Sequence, residues 1–217
     1  DVRDYFKVSE DYGTLDDVKN FIQKAHSFDI KVIFDLVLNH TSDEHPWFIA
    51  ACDPTHKDHH KYHDYYIWQK PKFDKDGNRK MPTNWRSWFG GPVWEFNEAT
   101  NEYYLHIFSK KMPDLNWRNQ DMKDDLKKAT NFWIDLGADG FRVDASNHLE
   151  KDWDFPEGHP GYEYFSSLPK HHDYLEEFGT EVFGPRDVMT MGEAGGATKE
   201  EALKYCGFDS KEFDMLI

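Results

Sequence analysis

Cysteine is scarce in this sequence. Its 217 residues include two cysteines, Cys52 and Cys206, which are too few to form a disulfide framework for a chain of this length. This scarcity favours a reducing compartment, so we expect a cytoplasmic protein. No stretch approaches the ~20 consecutive apolar residues that a transmembrane helix requires, so we expect no membrane partner.

Positive charge is scarce as well. Lys and Arg number 26 against 41 Asp and Glu, which gives a formal net charge of -15. Association with phosphate groups needs a basic face, so we expect no nucleic-acid partner. Aromatic residues, in contrast, make up 17% of the chain. Their rings can form a core or stack on the apolar faces of sugars.

Helix and strand patterns alternate along much of the chain. Thr14 to Phe28 begins with a capping Thr and an acidic first turn, and its apolar residues recur at helical spacing. Residues 31–40, KVIFDLVLNH, form an apolar run typical of a strand buried on both faces of a parallel sheet. The pattern returns as a helix over 121–136, followed by strands over 139–144 and 187–191. This alternation predicts an α/β fold.

Composition divides the chain into three segments. Residues 1–40 and 121–217 carry the βα pattern, whereas residues 41–120 are rich in Trp, Tyr, Pro, Asn and Gly and predict an irregular inserted subdomain. Within this subdomain, DKDGNRK predicts a hairpin turn. In a parallel barrel the carboxyl ends of the strands carry the active site, so polar residues at those ends are the functional candidates.

Polar residues occur in or just after each of the three predicted strands. Asp35 and His40 belong to the first, and Glu193 follows the third. Arg142 and Asp144 alternate in the second, and this alternation directs both side chains to the same side of the strand. The first two groups also have purely structural interpretations. Asp35 and His40 could cap the end of a strand, and Arg142 and Asp144 could form a buried ion pair.

The neighbours of Asp144 indicate how it could react. An adjacent arginine, Arg142, is expected to lower the pKa of the Asp144 carboxyl and keep it anionic, as a nucleophile requires. One βα crossover separates Asp144 from Glu193, so the two should end adjacent strands, which lie ~4.8 Å apart. A retaining glycosidase needs its carboxyl groups ~5–5.5 Å apart. Glu193 should then occupy a partly dry pocket that keeps it protonated before attack.

Several motifs carry a specific resemblance. DLVLNH, GFRVDASNH and MGEA resemble three ordered blocks of the α-amylase family, glycoside hydrolase family 13. NWRSWFGG, YYLHIFSKKMPDLNW and FWIDLGADGFR are similar to its oligo-1,6-glucosidase and α-glucosidase branch. The resemblance implies a partial (β/α)8 TIM barrel, about strands 3 to 5 and the start of strand 6, with an α+β subdomain inserted after strand 3.

The resemblance also implies a role for each polar candidate. Asp144 resembles the family nucleophile, Glu193 the general acid/base, and Arg142 the partner of the nucleophile. His40 resembles the ligand of the sugar hydroxyls in subsite −1. Asp35 resembles a structural carboxylate of the strand.

Three further residues resemble parts of the substrate pocket. Phe89 and Phe108 resemble its aromatic walls, although core packing is the alternative for both rings. Ala145 would border the +1 sugar. Branch members specialised for α-1,6 bonds usually have Val at that position, whereas α-1,4-acting members have residues such as Ala or Thr, so Ala145 favours α-1,4 bonds.

The implied activity is that of a retaining glycoside hydrolase. It would release α-glucose from the non-reducing ends of short α-1,4 or α-1,6 glucosides by double displacement, with a disaccharide or small oligosaccharide as its partner. A sugar-transferring relative of the isomaltulose or trehalulose synthase type is one alternative, and a non-catalytic transporter-associated subunit is another. The presence of Arg142, Asp144 and Glu193 together favours an enzyme.

The resemblance covers only part of the family's barrel. We expect the rest from missing sequence or another chain, and we expect these 217 residues alone to be inactive. No cofactor or metal is expected, although a calcium site in the missing N-terminal part fits the resemblance. The spacing of His56, His59, His60 and His63 offers a metal hypothesis, but a polar surface loop is favoured because the cluster contains no cysteine.

Overall fold

The computed structural model describes residues 1–217 and contains six α-helices and nine β-strands. The helices are α1 (Leu15–His26), α2 (Pro46–Cys52), α3 (His59–His63), α4 (Gln120–Leu136), α5 (His171–Phe178) and α6 (Lys199–Cys206). The strands are β1 (Ile33–Val37), β2 (Trp68–Gln69), β3 (Lys72–Phe73), β4 (Arg79–Lys80), β5 (Trp94–Asn97), β6 (Glu102–Leu105), β7 (Gly140–Asp144), β8 (Met189–Gly192) and β9 (Met215–Leu216). None of the helices combines the length and apolar character needed to span a membrane.

The chain forms two compact units. The sheet unit comprises residues 4–38, 123–147 and 169–217, and the insertion unit comprises residues 1–3, 39–122 and 148–168. Composition places residues 121–217 together in one segment. In the structure, residues 148–168 pack within the insertion unit instead.

The sheet unit contains a four-stranded parallel sheet in the order β1-β7-β8-β9. Its register places Val37 opposite Asp144 and Val143 opposite Gly192, so the carboxyl ends of the first three strands lie at one edge. Gly140 is required at the start of β7, because a Cβ atom there would lie 2.3 Å from the carbonyl oxygen of Met189. The predicted βα alternation is therefore present, with parallel neighbours as expected.

Local signals in the sequence explain where the flanking helices begin. Thr14 caps α1 in a capping box with Asp17, in which each side chain accepts a hydrogen bond from the other's backbone N–H. Thr198 and Glu201 form the same motif at α6. The predicted helix over residues 14–28 is confirmed as α1, and each box satisfies backbone donors that would otherwise lack partners.

The insertion unit has an aromatic core. Strands β2, β6 and β5 form an antiparallel sheet, and β3 pairs with β4 at the hairpin predicted from DKDGNRK. Trp85 and Trp94 are almost completely buried in this core, and Phe165 packs against Trp85 with ring centroids 5.8 Å apart. The indole N–H of Trp85 also donates to the carbonyl oxygen of Pro156 at 2.7 Å. These contacts explain why residues 148–168 belong to this unit.

The insertion unit contains a fully buried ion pair. Lys151 Nζ lies 2.9 Å from Asp114 Oδ2, and both side chains are 0% exposed. The ammonium also donates to Asn39 Oδ1 at 2.8 Å and to the carbonyl oxygen of His148. Burial raises the pKa of Asp114 despite the opposing charge of Lys151. Removal of either partner would leave an uncompensated buried charge, which typically costs ~3–5 kcal/mol.

Candidate active site

Four charged side chains gather near the carboxyl ends of adjacent strands in the sheet unit. Asp35 lies within β1, Arg142 and Asp144 lie in β7, and Glu193 directly follows β8. Their positions follow from the sequence, because period-two alternation directs Arg142 and Asp144 to one side and the parallel register aligns the neighbouring strands.

Arg142 binds all three carboxylates. Its Nη1 atom lies 2.7 Å from Asp35 Oδ1 and 2.6 Å from Asp144 Oδ1. Its Nη2 atom lies 2.7 Å from Glu193 Oε2. The planar guanidinium has donors that suit simultaneous binding of several carboxylates. Asp144 and Glu193 are therefore bound by the two terminal nitrogens of one side chain.

The backbone after β7 also supports Glu193. The amide of Ala145 donates to Glu193 Oε2 at 3.1 Å. The amide and hydroxyl of Ser146 donate to the carbonyl oxygen of Glu193 at 3.0 and 2.7 Å. Ala145 has a backbone φ of 49°, which is uncommon for a residue with a side chain. Ala145 is 5% exposed and directly follows Asp144, so an unusual backbone conformation occurs beside this candidate residue.

The electrostatics of Asp144 differ from the sequence-based prediction. An adjacent arginine was expected to lower the pKa of this carboxyl, but the pKa is raised above the ordinary value of an aspartate. Burial is the main cause, and the negative charges of Glu193 and Asp35 raise it further against the opposing effect of Arg142. The expectation was wrong because it considered the arginine alone. Desolvation and two nearby carboxylates outweigh that single favourable charge.

The surroundings of Arg142 raise the pKa of its guanidinium. Burial alone would lower the pKa of its guanidinium, but hydrogen bonding and charge from Asp35, with the charges of Asp144 and Glu193, raise the pKa overall. Arg142 is therefore a permanent cation within a group of three acids.

Glu193 is more accessible than expected. Its side chain is 40% exposed, compared with 24% for Asp144. The partly dry pocket expected around Glu193 is not formed by the residues of this chain. The local arrangement nevertheless provides a carboxyl group with one oxygen, Oε2, fixed by Arg142 and Ala145.

The insertion unit brings together the other three predicted residues. The rings of His40 and Phe108 lie 5.5 Å apart in an edge-on arrangement, and Phe89 lies 5.5 Å from Phe108. Burial is the main cause that lowers the pKa of His40 well below its ordinary value, and the nearby positive charges of Lys151 and His148 lower it further. His40 is consequently neutral near pH 7, with one ring nitrogen able to donate and the other able to accept a hydrogen bond.

Two residues of this aromatic group were not identified as candidates from the sequence. The ring of His148 lies 5.6 Å from Phe108, and the ring of Trp88 lies 5.8 Å from His148. Trp88 could have been noticed because it directly precedes Phe89 in a glycine-rich turn. His148 is the last residue of the GFRVDASNH motif, which could have drawn attention to it, but its packing against Phe108 depends on residues distant in the sequence.

Two of the four histidines proposed as an alternative metal site bind other groups. His59 Nδ1 lies 3.1 Å from the carbonyl oxygen of Ala50, and His63 Nε2 lies 2.8 Å from Glu102 Oε2. No group of three or more His, Cys, Asp or Glu side chains in the structure is arranged to hold a metal ion.

Comparisons with known proteins were made for the whole chain. The profile of the family described as "Alpha amylase, catalytic domain" matches residues 1–216. An oligo-1,6-glucosidase from Parageobacillus thermoglucosidasius is 42% identical over 224 residues, covering 100% of this chain and 38% of the relative. The chain therefore spans less than two fifths of the length of that relative.

Solved structures give a consistent picture. Trehalose-6-phosphate hydrolase from Bacillus licheniformis matches with a TM-score of 0.91 and 39% identity, over 100% of this chain and 38% of its own. A variant of isomaltulose synthase from Erwinia rhapontici NX5, solved with its natural substrate sucrose, matches with a TM-score of 0.89 and 34% identity, over 100% and 38% of the two chains. Similarity therefore extends to proteins with different named activities.

The raised pKa of Asp144 predicts a stabilising substitution. Since the folded pKa exceeds the unfolded value, the contribution of Asp144 to stability is present at low pH and is lost as pH rises through the folded pKa. Asp144→Asn removes this charge at every pH. We expect it to raise the melting temperature of the full-length protein at pH 7, and to raise it by less at pH 4, where the carboxyl is already more protonated.

Calorimetry at both pH values checks this prediction. Asp209→Asn, at an exposed position of the same unit, serves as the matched control and should leave the melting temperature unaltered. A lower melting temperature for Asp144→Asn at pH 7 would contradict the electrostatic interpretation.

Proposed function

This chain belongs to the α-amylase family of catalytic domains, glycoside hydrolase family 13, with part of its (β/α)8 TIM barrel, and we propose that its enzyme hydrolyses short α-glucosides with retention of configuration. The observation that carries the proposal is the contact of one guanidinium, Arg142, with both Asp144 and Glu193. A close pair of carboxylates is what a covalent double displacement requires.

Asp144 is proposed as the nucleophile. Its Oδ1 atom is bound by Arg142, which leaves Oδ2 to attack the anomeric carbon. A bond forms between this oxygen and the sugar as the glycosidic C–O bond breaks, and the electron pair of that bond goes to the departing oxygen. Arg142 orients the carboxylate and offsets part of the repulsion from its acidic neighbours.

Glu193 is proposed as the general acid and then the general base. With Oε2 fixed by Arg142 and Ala145, the second carboxyl oxygen, Oε1, transfers its proton to the departing sugar oxygen. In the second step the same carboxylate removes a proton from water, and the water oxygen replaces Asp144 at the anomeric carbon. Free α-glucose and regenerated Asp144 result, so atoms and protons balance.

The proposed substrates are disaccharides and short oligosaccharides with a terminal α-glucosyl unit. This proposal draws on the name of the oligo-1,6-glucosidase relative. Neutral His40 and the rings of Phe108 and Phe89 provide hydrogen-bonding and stacking groups of the kind that sugars require. We propose that substrate binding by these residues, and catalysis, require the full-length protein.

Sugar transfer is the second candidate. It is favoured by the similarity to isomaltulose synthase, whose structure contains sucrose. In that reaction a sugar hydroxyl would replace water in the second step, while Asp144 and Glu193 would keep their roles. A non-catalytic transporter-associated role has less support, because both carboxylates and their shared arginine are present.

Substitution of Glu193 by Gln tests the division of roles. In the full-length enzyme, we expect Glu193→Gln to reduce kcat/KM for maltose by more than ~100-fold, since general acid catalysis typically contributes 10²–10⁴-fold. Formation of the glucosyl-enzyme from α-glucosyl fluoride should be affected much less, because fluoride leaves without protonation. Steady-state rates for maltose and a fluoride burst for α-glucosyl fluoride provide the two measurements.

Glu200→Gln is the matched control, because Glu200 is an exposed glutamate in the first turn of α6. It should retain both activities. Equal losses on the two substrates in Glu193→Gln would exclude Glu193 as the general acid.

Ala145 is proposed to influence linkage preference. We expect the full-length enzyme to favour maltose over isomaltose, and Ala145→Val to reduce the ratio of their kcat/KM values by up to about tenfold, since methyl-scale changes are worth ~1–3 kcal/mol. A β-branched residue is strained at a φ of 49°, so the ratio is more informative than either rate.

Ala202→Val on α6 provides the control substitution and should not alter the ratio. A wild-type preference for isomaltose, or an unaltered ratio in Ala145→Val, would remove the basis for this assignment.

A further inference from the structure

One buried hydroxyl group of the sheet unit binds the main chain of a candidate catalytic residue. Ser146 is 0% exposed and lies two residues after Asp144. Its hydroxyl donates to the carbonyl oxygen of Glu193 at 2.7 Å, and its amide donates to the same oxygen at 3.0 Å. A carbonyl oxygen has two lone pairs, so a single residue supplies a donor for each of them.

The amide of Glu193 is bound by the same segment of the chain. Strand β8 ends at Gly192, so Glu193 lies just beyond it. The Glu193 amide donates to the carbonyl oxygen of Val143, in β7, at 2.9 Å. Val143 and Ser146 therefore bind the two main-chain polar groups of Glu193, and both belong to the segment that carries Asp144.

The turn after Asp144 also binds the side chain of Glu193. The amide of Ala145 donates to Glu193 Oε2 at 3.1 Å. A left-handed residue in a turn can direct successive amides at one acceptor group, and Ala145 has a φ of 49°. The amides of Ala145 and Ser146 accordingly bind the carboxyl group and the main-chain carbonyl of the same glutamate. This turn therefore constrains the direction of the Glu193 carboxyl, and the Ser146 hydroxyl contributes to that constraint.

We propose that Ser146 is a positioning residue for Glu193, whose hydroxyl fixes the main chain of the glutamate and thereby the direction from which its carboxyl group protonates the departing sugar oxygen. Proton transfer needs donor and acceptor within ~2.6–3.2 Å, so a small displacement of the carboxyl slows this step. The purely structural alternative is that the hydroxyl only provides a donor for a carbonyl group near a strand end. The inference rests on the proposed glycosidase function and adds a residue on which its proton-transfer step depends.

Substrates whose departing groups differ in basicity separate the two roles. In the full-length enzyme, we expect Ser146→Ala to reduce kcat/KM for maltose by about tenfold, since a ~1 Å displacement of a catalytic group can cost ~10²-fold. The loss should be about threefold for p-nitrophenyl α-glucoside and less than about twofold for the fluoride burst from α-glucosyl fluoride, because these groups need less protonation or none. A structural role would reduce all three rates equally, because Asp144 lies in the same segment.

A double substitution shows whether Ser146 acts through Glu193. When Glu193 is already Gln, adding Ser146→Ala should reduce kcat/KM for maltose by less than about twofold, because residues that act together have non-additive effects. A loss of about tenfold in both backgrounds would assign the hydroxyl to the stability of the segment and overturn the proposal. If circular dichroism shows that Ser146→Ala does not fold, Ser146→Cys takes its place with the same expectations, because a thiol is only a weak donor.

Ser210→Ala is the matched control. The hydroxyl of Ser210 also donates to main-chain carbonyl oxygens of the sheet unit, those of Lys204 and Tyr205, at 2.7 and 2.8 Å. This substitution should keep the wild-type ratios of the three rates. If the wild type hydrolyses maltose but Ser146→Ala shows no loss, or an equal loss on every substrate, the positioning role alone is refuted. A wild type that hydrolyses none of these glucosides overturns both this inference and the proposed function.

Discussion

The contact of Arg142 with three carboxylates is the interaction on which the rest of this site depends. Asp35, Asp144 and Glu193 come from adjacent strands, and without a cation their negative charges would repel one another. The guanidinium offsets part of this repulsion and fixes one oxygen of each acid. In the proposed mechanism, it thereby determines which oxygens of Asp144 and Glu193 react.

The parallel sheet makes this contact possible at a cost in stability. Its register brings β1, β7 and β8 to a common edge, where one arginine can reach all three acids. Burial of Asp144 among like charges opposes its ionisation, and Ala145 adopts an unusual backbone conformation beside it. Such local costs are common at functional sites, where position matters more than stability.

Much of the fold could be predicted from local patterns. The capping Thr14 and the apolar run of residues 31–40 predict α1 and β1, because capping and apolar periodicity act over a few residues. Period-two alternation likewise predicts that Arg142 meets Asp144, as the structure confirms. The raised pKa of Asp144 could not be predicted, because it depends on burial and on charges from other strands. The packing of residues 148–168 against Trp85 is similarly a consequence of distant contacts.

The proposed mechanism requires that Asp144 becomes covalently bound to the sugar. Incubation of the full-length enzyme with a fluorinated α-glucosyl fluoride should slow the second step and accumulate this intermediate. Peptide mass spectrometry after rapid digestion is expected to find the added fluoroglucosyl mass on the peptide that contains Asp144, and fragmentation should place it on that residue. Label on another residue, or turnover that releases β-glucose first without any adduct, would contradict the assignment.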